Sequence, residues 1–132
     1  MELHLRDWWK AELNFSFHEF VRVGADNPDV PEWKVNLRQT FHCSPQWTVV
    51  PTFHWVDGFD SESLTAVPLQ RIPGYLRTDL AINYKRKDSW PTISLVGQNI
   101  TDRSHTEFNE ELISTLPTPV TRMWFLRVQK EF

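Results

Sequence analysis

Apolar side chains recur at every second position in run after run of this 132-residue chain, a period that a β-strand satisfies and a helix does not. Over 9–17, Trp9, Ala11, Leu13, Phe15 and Phe17 alternate with Lys10, Glu12, Asn14 and Ser16. Over 33–42, Trp33, Val35, Leu37 and Phe41 alternate with Lys34, Asn36, Arg38, Thr40 and His42, Gln39 interrupting the apolar set. A third run sets Trp47, Val49, Pro51, Phe53 and Trp55 against Thr48, Val50, Thr52 and His54. The fourth sets Leu76, Thr78, Leu80, Ile82 and Tyr84 against Arg77, Asp79, Ala81, Asn83 and Lys85. A shorter fifth, 91–99, carries Ile93, Leu95 and Gly97 opposite Thr92, Ser94 and Gln98. The sixth, 120–132, places Trp124, Leu126, Val128, Lys130 and the terminal Phe132 on one face, and Met123, Phe125, Arg127, Gln129 and Glu131 on the other. These runs predict an all-β, antiparallel up-and-down meander of about six strands with no helix.

The lengths and connections narrow the architecture. Each run is roughly 9–12 residues, near the ~9–11 that a tilted strand needs to cross a bilayer. Short connections, 43–46 and 86–90, alternate with long ones, 21–32, 56–74 and 100–119. Transmembrane β-barrels show this alternation, with tight turns at one rim and extended loops at the other. The seven Trp follow it. Trp8, Trp9, Trp47 and Trp90 fall at the short-turn ends, and Trp33, Trp55 and Trp124 near the long-loop ends, as two interfacial girdles require.

The remaining composition excludes more than it assigns. A formal charge of −3 gives no reason to expect nucleic acid as a partner. Met1 to Asp7 has neither the basic start nor the apolar run of a secretory signal, so an exported protein would hold this chain as a fragment. The single cysteine, Cys43, has no internal disulfide partner. Five histidines invite a metal reading, but His42 belongs near the short-turn end and His18 and His54 near the long-loop end. His18 and His54 share a face with one strand between them, roughly 10 Å apart, too far to share an ion that needs ligands at about 2 Å. No metal site or cofactor is expected. Asp79, with Arg77, Lys85 and the neighbouring Arg38, reads as an inward network of opposite charges across strands. No Ser/His/Asp spacing, phosphate loop or Cys/His cluster appears, so no enzyme is expected. Gly97, Asn99 and Asp102, at the end of a strand, suit a turn or bulge that shapes the start of the last long connection.

At 94–108 the chain reads SLVGQNITDRSHTEF, preceded by IPGYLRTDLAINY at 72–84 and followed by a final strand from Arg122 to Phe132. This resembles the C-terminal end of TonB-dependent outer-membrane receptors. Members of that family have a strand with an Asp after a Pro/Gly-Tyr opening, here Tyr75 and Asp79. A strand ending in Gly-x-Asn-hydrophobic-x-Asp comes next, here Gly97, Asn99, Ile100 and Asp102, then a long loop and a terminal strand closing on Phe. The likeness covers 72–132 closely and 8–55 only as strand pattern.

The resemblance implies one barrel of about 22 strands with a plug in its lumen, of which residues 1–132 would be the C-terminal portion, plug and earlier strands absent. It implies import of a scarce nutrient such as a ferric siderophore, haem or cobalamin across the bacterial outer membrane. The implied partners are outer-membrane lipid, the small-molecule nutrient, the TonB complex acting through the plug, and the barrel assembly machinery. That machinery would read the terminal strand with Trp124, Leu126, Val128 and Phe132. Because receptor loops close over the substrate, ligand contacts are expected from Phe59, Arg71, Arg103, His105 and Phe108. Lys130 departs from the pattern, standing where an apolar residue is common, although a Lys near a rim can snorkel to the interface. Two other architectures fit the strands. A stand-alone small barrel with an apolar ligand inside would have to bury Lys10, Glu12, Lys34, Arg38, Arg77, Asp79 and Lys85 in a dry cavity, at high cost. A structural outer-membrane barrel without transport would lack the segment at 94–108.

Overall fold

The computed structural model describes residues 1–18, 31–61, 70–87, 89–101 and 120–130. Among them the chain is all-β: β1 (Glu2–Arg6), β2 (Trp9–Phe17), β3 (Trp33–His42), β4 (Trp47–Val56), β5 (Phe59–Ser61), β6 (Gln70–Ile72), β7 (Tyr75–Tyr84), β8 (Thr92–Gln98) and β9 (Met123–Gln129). Seven strands form one antiparallel sheet in the order β1-β2-β3-β4-β7-β8-β9, and β5 and β6 pair separately. The expected meander is present, with one strand more than the six expected. The additional strand is β1, whose five residues are too few for an alternation to stand out, yet it pairs with β2 from Glu2↔Glu12 to Arg6↔Trp9.

Register carries the alternation across the whole sheet. Phe15 lies opposite Val35, Val35 opposite Trp55, and Trp55 opposite Leu76. Lower down, Val49 lies opposite Ile82, Ile82 opposite Leu95, and Leu95 opposite Leu126. Residues paired this way point to the same side, so one face is an apolar band seven strands wide. Its side chains stay in the open: Phe15 is 71% exposed and Leu126 67%. A soluble sandwich or barrel would bury such residues; here only Ala11, Val50 and Ile72 are buried hydrophobics among the described residues. The Trp residues mark the band's two margins. Trp8, Trp9 and Phe41 stack at the short-turn end, with centroids 5.9–6.3 Å apart, and Trp47 meets Tyr84 there. Phe17 and Trp33 meet at the opposite end.

The turn at 43–46 is tight because Ser44 Oγ accepts the N–H groups of Gln46 and Trp47, at 3.3 and 3.1 Å. At the other end, the stretch expected as a loop at 56–74 includes a second short ladder. β4 and β7 pair in unbroken register up to Val56↔Tyr75, and pairing resumes at Phe59↔Ile72. Between them Gly58 and Gly74 pass so closely that a Cβ on Gly58 would lie 2.9 Å from the Gly74 nitrogen, and one on Gly74 3.0 Å from the Gly58 nitrogen. Only two glycines allow this approach. Three-residue strands carry no readable period, so the sequence pattern could not show them.

Candidate functional site

The face opposite the apolar band is mostly polar, crossed by one apolar row, Val50, Ala81, Val96 and Phe125, and its long-loop half is organised around Asp79. The β7 register puts Arg77 and Asp79 on the same face, two residues apart. Arg77 donates to both carboxylate oxygens, Nε to Oδ1 at 3.0 Å and a terminal nitrogen to Oδ2 at 2.8 Å, the bidentate geometry that guanidinium and carboxylate favour. From β4, His54 brings Nε2 to 3.4 Å from Asp79 Oδ2, and its Nδ1 hydrogen-bonds Asn36 Oδ1 on β3. The Asn99 backbone N–H completes the set, donating to Asp79 Oδ1 at 2.9 Å. Two strands and the turn after β8 thus meet on one carboxylate, and a third strand, β3, joins through His54.

Asn99 has φ 51°, the left-handed region that Asn tolerates better than most residues. It is 1% exposed. Its Nδ2 donates to the Val120 carbonyl at 3.0 Å, and the next N–H, of Ile100, donates to the Thr78 carbonyl at 2.8 Å. The two ends of the last long connection are therefore joined through one side chain. Gly97 lies directly opposite Trp124. A Cβ there would come within 2.6 Å of the Trp124 ring and 2.7 Å of Ile100, so the indole lies across the glycine as aromatic side chains do over strand glycines. Replacing Asn99 by Ala is expected to cost about 2 kcal/mol, roughly half from backbone strain and half from the lost bond to Val120. Asn99→Gly should recover the backbone part alone, and denaturant unfolding in lipid would separate the two. Equal losses in both variants would mean that the left-handed backbone contributes nothing.

The other expected residues are dispersed. Phe59 and Arg71 sit on the β5–β6 ladder beyond the glycine pair, Phe59 opposite Ile72 and Arg71 opposite Asp60; Arg71, 73% exposed, reaches Asp60 at 3.6 Å. Trp124, Leu126 and Val128 line the apolar face of the edge strand β9, all at least half exposed. Asp102, Arg103, His105, Phe108 and Phe132 lie outside the described residues. The expectation that Arg38 neighbours Asp79 is corrected: Arg38 pairs with Thr52, and Thr52 with Asp79, so a whole strand intervenes. His54 and Asn36 take the place given to Arg38. They were legible as cross-strand partners only once the strand order was known, because period two fixes a face and not a neighbour.

An amphipathic antiparallel meander with this exposed apolar face, this charged face and these aromatic margins has the architecture of a segment of a β-barrel wall. No family model and no curated protein sequence matches the chain. Among solved structures it matches the siderophore receptor PiuA from Acinetobacter baumannii, with TM-score 0.73 and 19% identity. The match covers 96% of this chain and 20% of that one, so the chain spans about a fifth of that receptor's length and shares the fold of that part of it.

Proposed function

We propose that residues 1–132 form the C-terminal portion of the barrel of an outer-membrane receptor that imports a scarce nutrient, a ferric siderophore, haem or cobalamin, by TonB-dependent energy coupling. The observation that carries this reading is the pair of unlike faces: an exposed apolar band bounded by Trp at both ends, backed by a face organised through Asp79. Lipid would cover the first, and a polar lumen would receive the second. The fold shared with a siderophore receptor and the resemblance at 72–132 support the same assignment. On this reading Phe59 and Arg71, with Arg103, His105 and Phe108, face the nutrient from the extracellular side. Gly97, Asn99 and Asp102 shape the last loop, and Trp124, Leu126, Val128 and Phe132 present the closing strand to the assembly machinery.

The test uses cells that carry or lack the gene for the full-length protein. Uptake of radiolabelled ferric siderophores, haem and cobalamin is measured in each, with and without an energy uncoupler. Energy-dependent uptake of one of them, lost with the gene, supports the proposal. Recovery of the protein in the soluble fraction would overturn it. A simpler result is expected of residues 1–132 alone: without detergent they should aggregate, since the apolar band is exposed and, among the described residues, β1 and β9 are unpaired sheet edges. Size-exclusion chromatography showing a monodisperse monomer in plain buffer would count against a lipid-facing band.

A further inference from the structure

Within its strands the apolar band carries a single amide side chain, Gln39, near the short-turn margin. It stands between Leu37 and Phe41 of β3 and opposite Ala11 of β2. Its Oε1 accepts the Trp9 indole N–H at 3.2 Å. An indole nitrogen only donates, so Trp9 fixes the amide: the oxygen is taken, and Nε2 is the end left over. Among the described residues nothing accepts from Nε2. The neighbours on the band have no acceptor in their side chains. They are Ala11, Leu37 and Phe41 and, on β4 between Thr52↔Arg38 and Val49↔Phe41, Pro51. Depth is set by the strand. Gln39 lies two residues inward of Phe41, whose ring stacks on Trp8 and Trp9 at the margin. Two residues span about 6.6 Å along a strand, or about 5 Å of depth at a tilt of about 35–45°. Interfacial indoles rest at headgroup level. The unpaired N–H groups therefore lie just beneath it, where phospholipids place the ester carbonyls that join headgroup to chains.

We infer that this place binds one phospholipid of the leaflet on the short-turn side. Gln39 Nε2 donates to an ester carbonyl, and the acyl chain lies along Leu37 and Leu13, the next pair inward. The inference rests on the barrel reading above, since only a membrane brings lipid to this face. Hydrogen-bond complementarity selects the occupant. Nε2 offers donors only, and an ester carbonyl only accepts. A second copy of the chain, docked about a two-fold axis, would set donor against donor. Bare hydrocarbon would leave both N–H groups unpaired, which is costly.

The test folds the full-length protein, wild type and Gln39→Leu, into vesicles of dioleoyl phosphatidylcholine and of its diether analogue. The analogue keeps headgroup and chains but has no carbonyls. Gln39→Leu loses the Trp9 bond in both lipids, so that loss cancels when the lipids are compared. Urea unfolding gives a folding constant for each pair. The ratio of wild type to Gln39→Leu should be about fivefold higher in the diester lipid, as one hydrogen bond of ordinary net strength requires. Native mass spectrometry of detergent-extracted protein should find one more diester lipid on the wild type than on Gln39→Leu, and no such difference with the diether. Equal ratios, the result if water satisfies the amide, or equal lipid counts would overturn the inference. So would a wild-type dimer that Gln39→Leu abolishes, which would put a second copy there. Should Gln39→Leu fail to fold, Gln39→Met takes its place. A protein that inserts but shows no dependence on the ester loses the lipid site and keeps the receptor reading; a soluble protein loses both.

Discussion

Arginine in place of Leu80 is expected to destabilise the assembled barrel by about 2–4 kcal/mol, whereas arginine in place of Thr52 should change it by less than about 1 kcal/mol. The two residues belong to neighbouring strands and nearly the same height, Leu80 opposite Pro51 and Thr52 opposite Asp79, but to opposite faces. Leu80 is flanked by Pro51 on one side and Gly97 on the other, mid-strand, where no rim is close enough for the guanidinium to snorkel to water. Thr52 has Arg38 and Asp79 as partners, a setting already adapted to charge. Urea unfolding of the refolded protein in lipid vesicles, followed by the mobility shift of the folded barrel on gels, measures both. Equal losses would show that the apolar band does not meet hydrocarbon.

Removal of the Asp79 carboxylate is expected to cost on the order of 3 kcal/mol. Asp79→Ala removes both carboxylate acceptors of the Arg77 fork, leaves the Asn99 N–H without its carboxylate acceptor and removes the anion beside His54. Asp79→Asn keeps one oxygen, enough for a single donor, and should lose about half as much. The double variant Arg77→Met/Asp79→Ala should be more stable than Asp79→Ala alone, because it no longer holds a half-buried cation whose bidentate carboxylate has been removed. The same unfolding assay measures all three. If Asp79→Ala and the double variant are equally stable, Arg77 and Asp79 do not act as a pair.

The sequence revealed the long strands well and the joints between them poorly, for a physical reason. Alternation over nine or ten residues, as in Trp9 to Phe17 or Tyr75 to Tyr84, is imposed by the two environments a sheet separates, so it survives in the residue types. The same holds for the Trp margins, since a ring with one polar edge has few other places to rest. β1, β5 and β6 are too short to show a period. The site was half legible. Arg77 and Asp79 announced a charge network, but its outer members, Asn36, His54 and the Asn99 N–H, are set by strand order and by a backbone conformation, neither of which residue types record. Gly97 and Asn99 stand out as turn chemistry; that one accommodates the Trp124 indole and the other reaches Val120 is set by tertiary packing, not by residue type.

The break in pairing at Gly58 and Gly74 separates two regimes of sequence change. Below it, the ten residue pairs from Trp47↔Tyr84 to Val56↔Tyr75 tie each side chain to a face, so one inserted residue would turn a strand inside out. Above it the ladder starts afresh at Phe59↔Ile72 and pairs only to Ser61↔Gln70, so an added or lost residue there has far less register to upset. The glycine pair therefore acts as a fuse in the evolutionary sense: tips of different length and chemistry can be exchanged beyond it while the wall beneath keeps its shape.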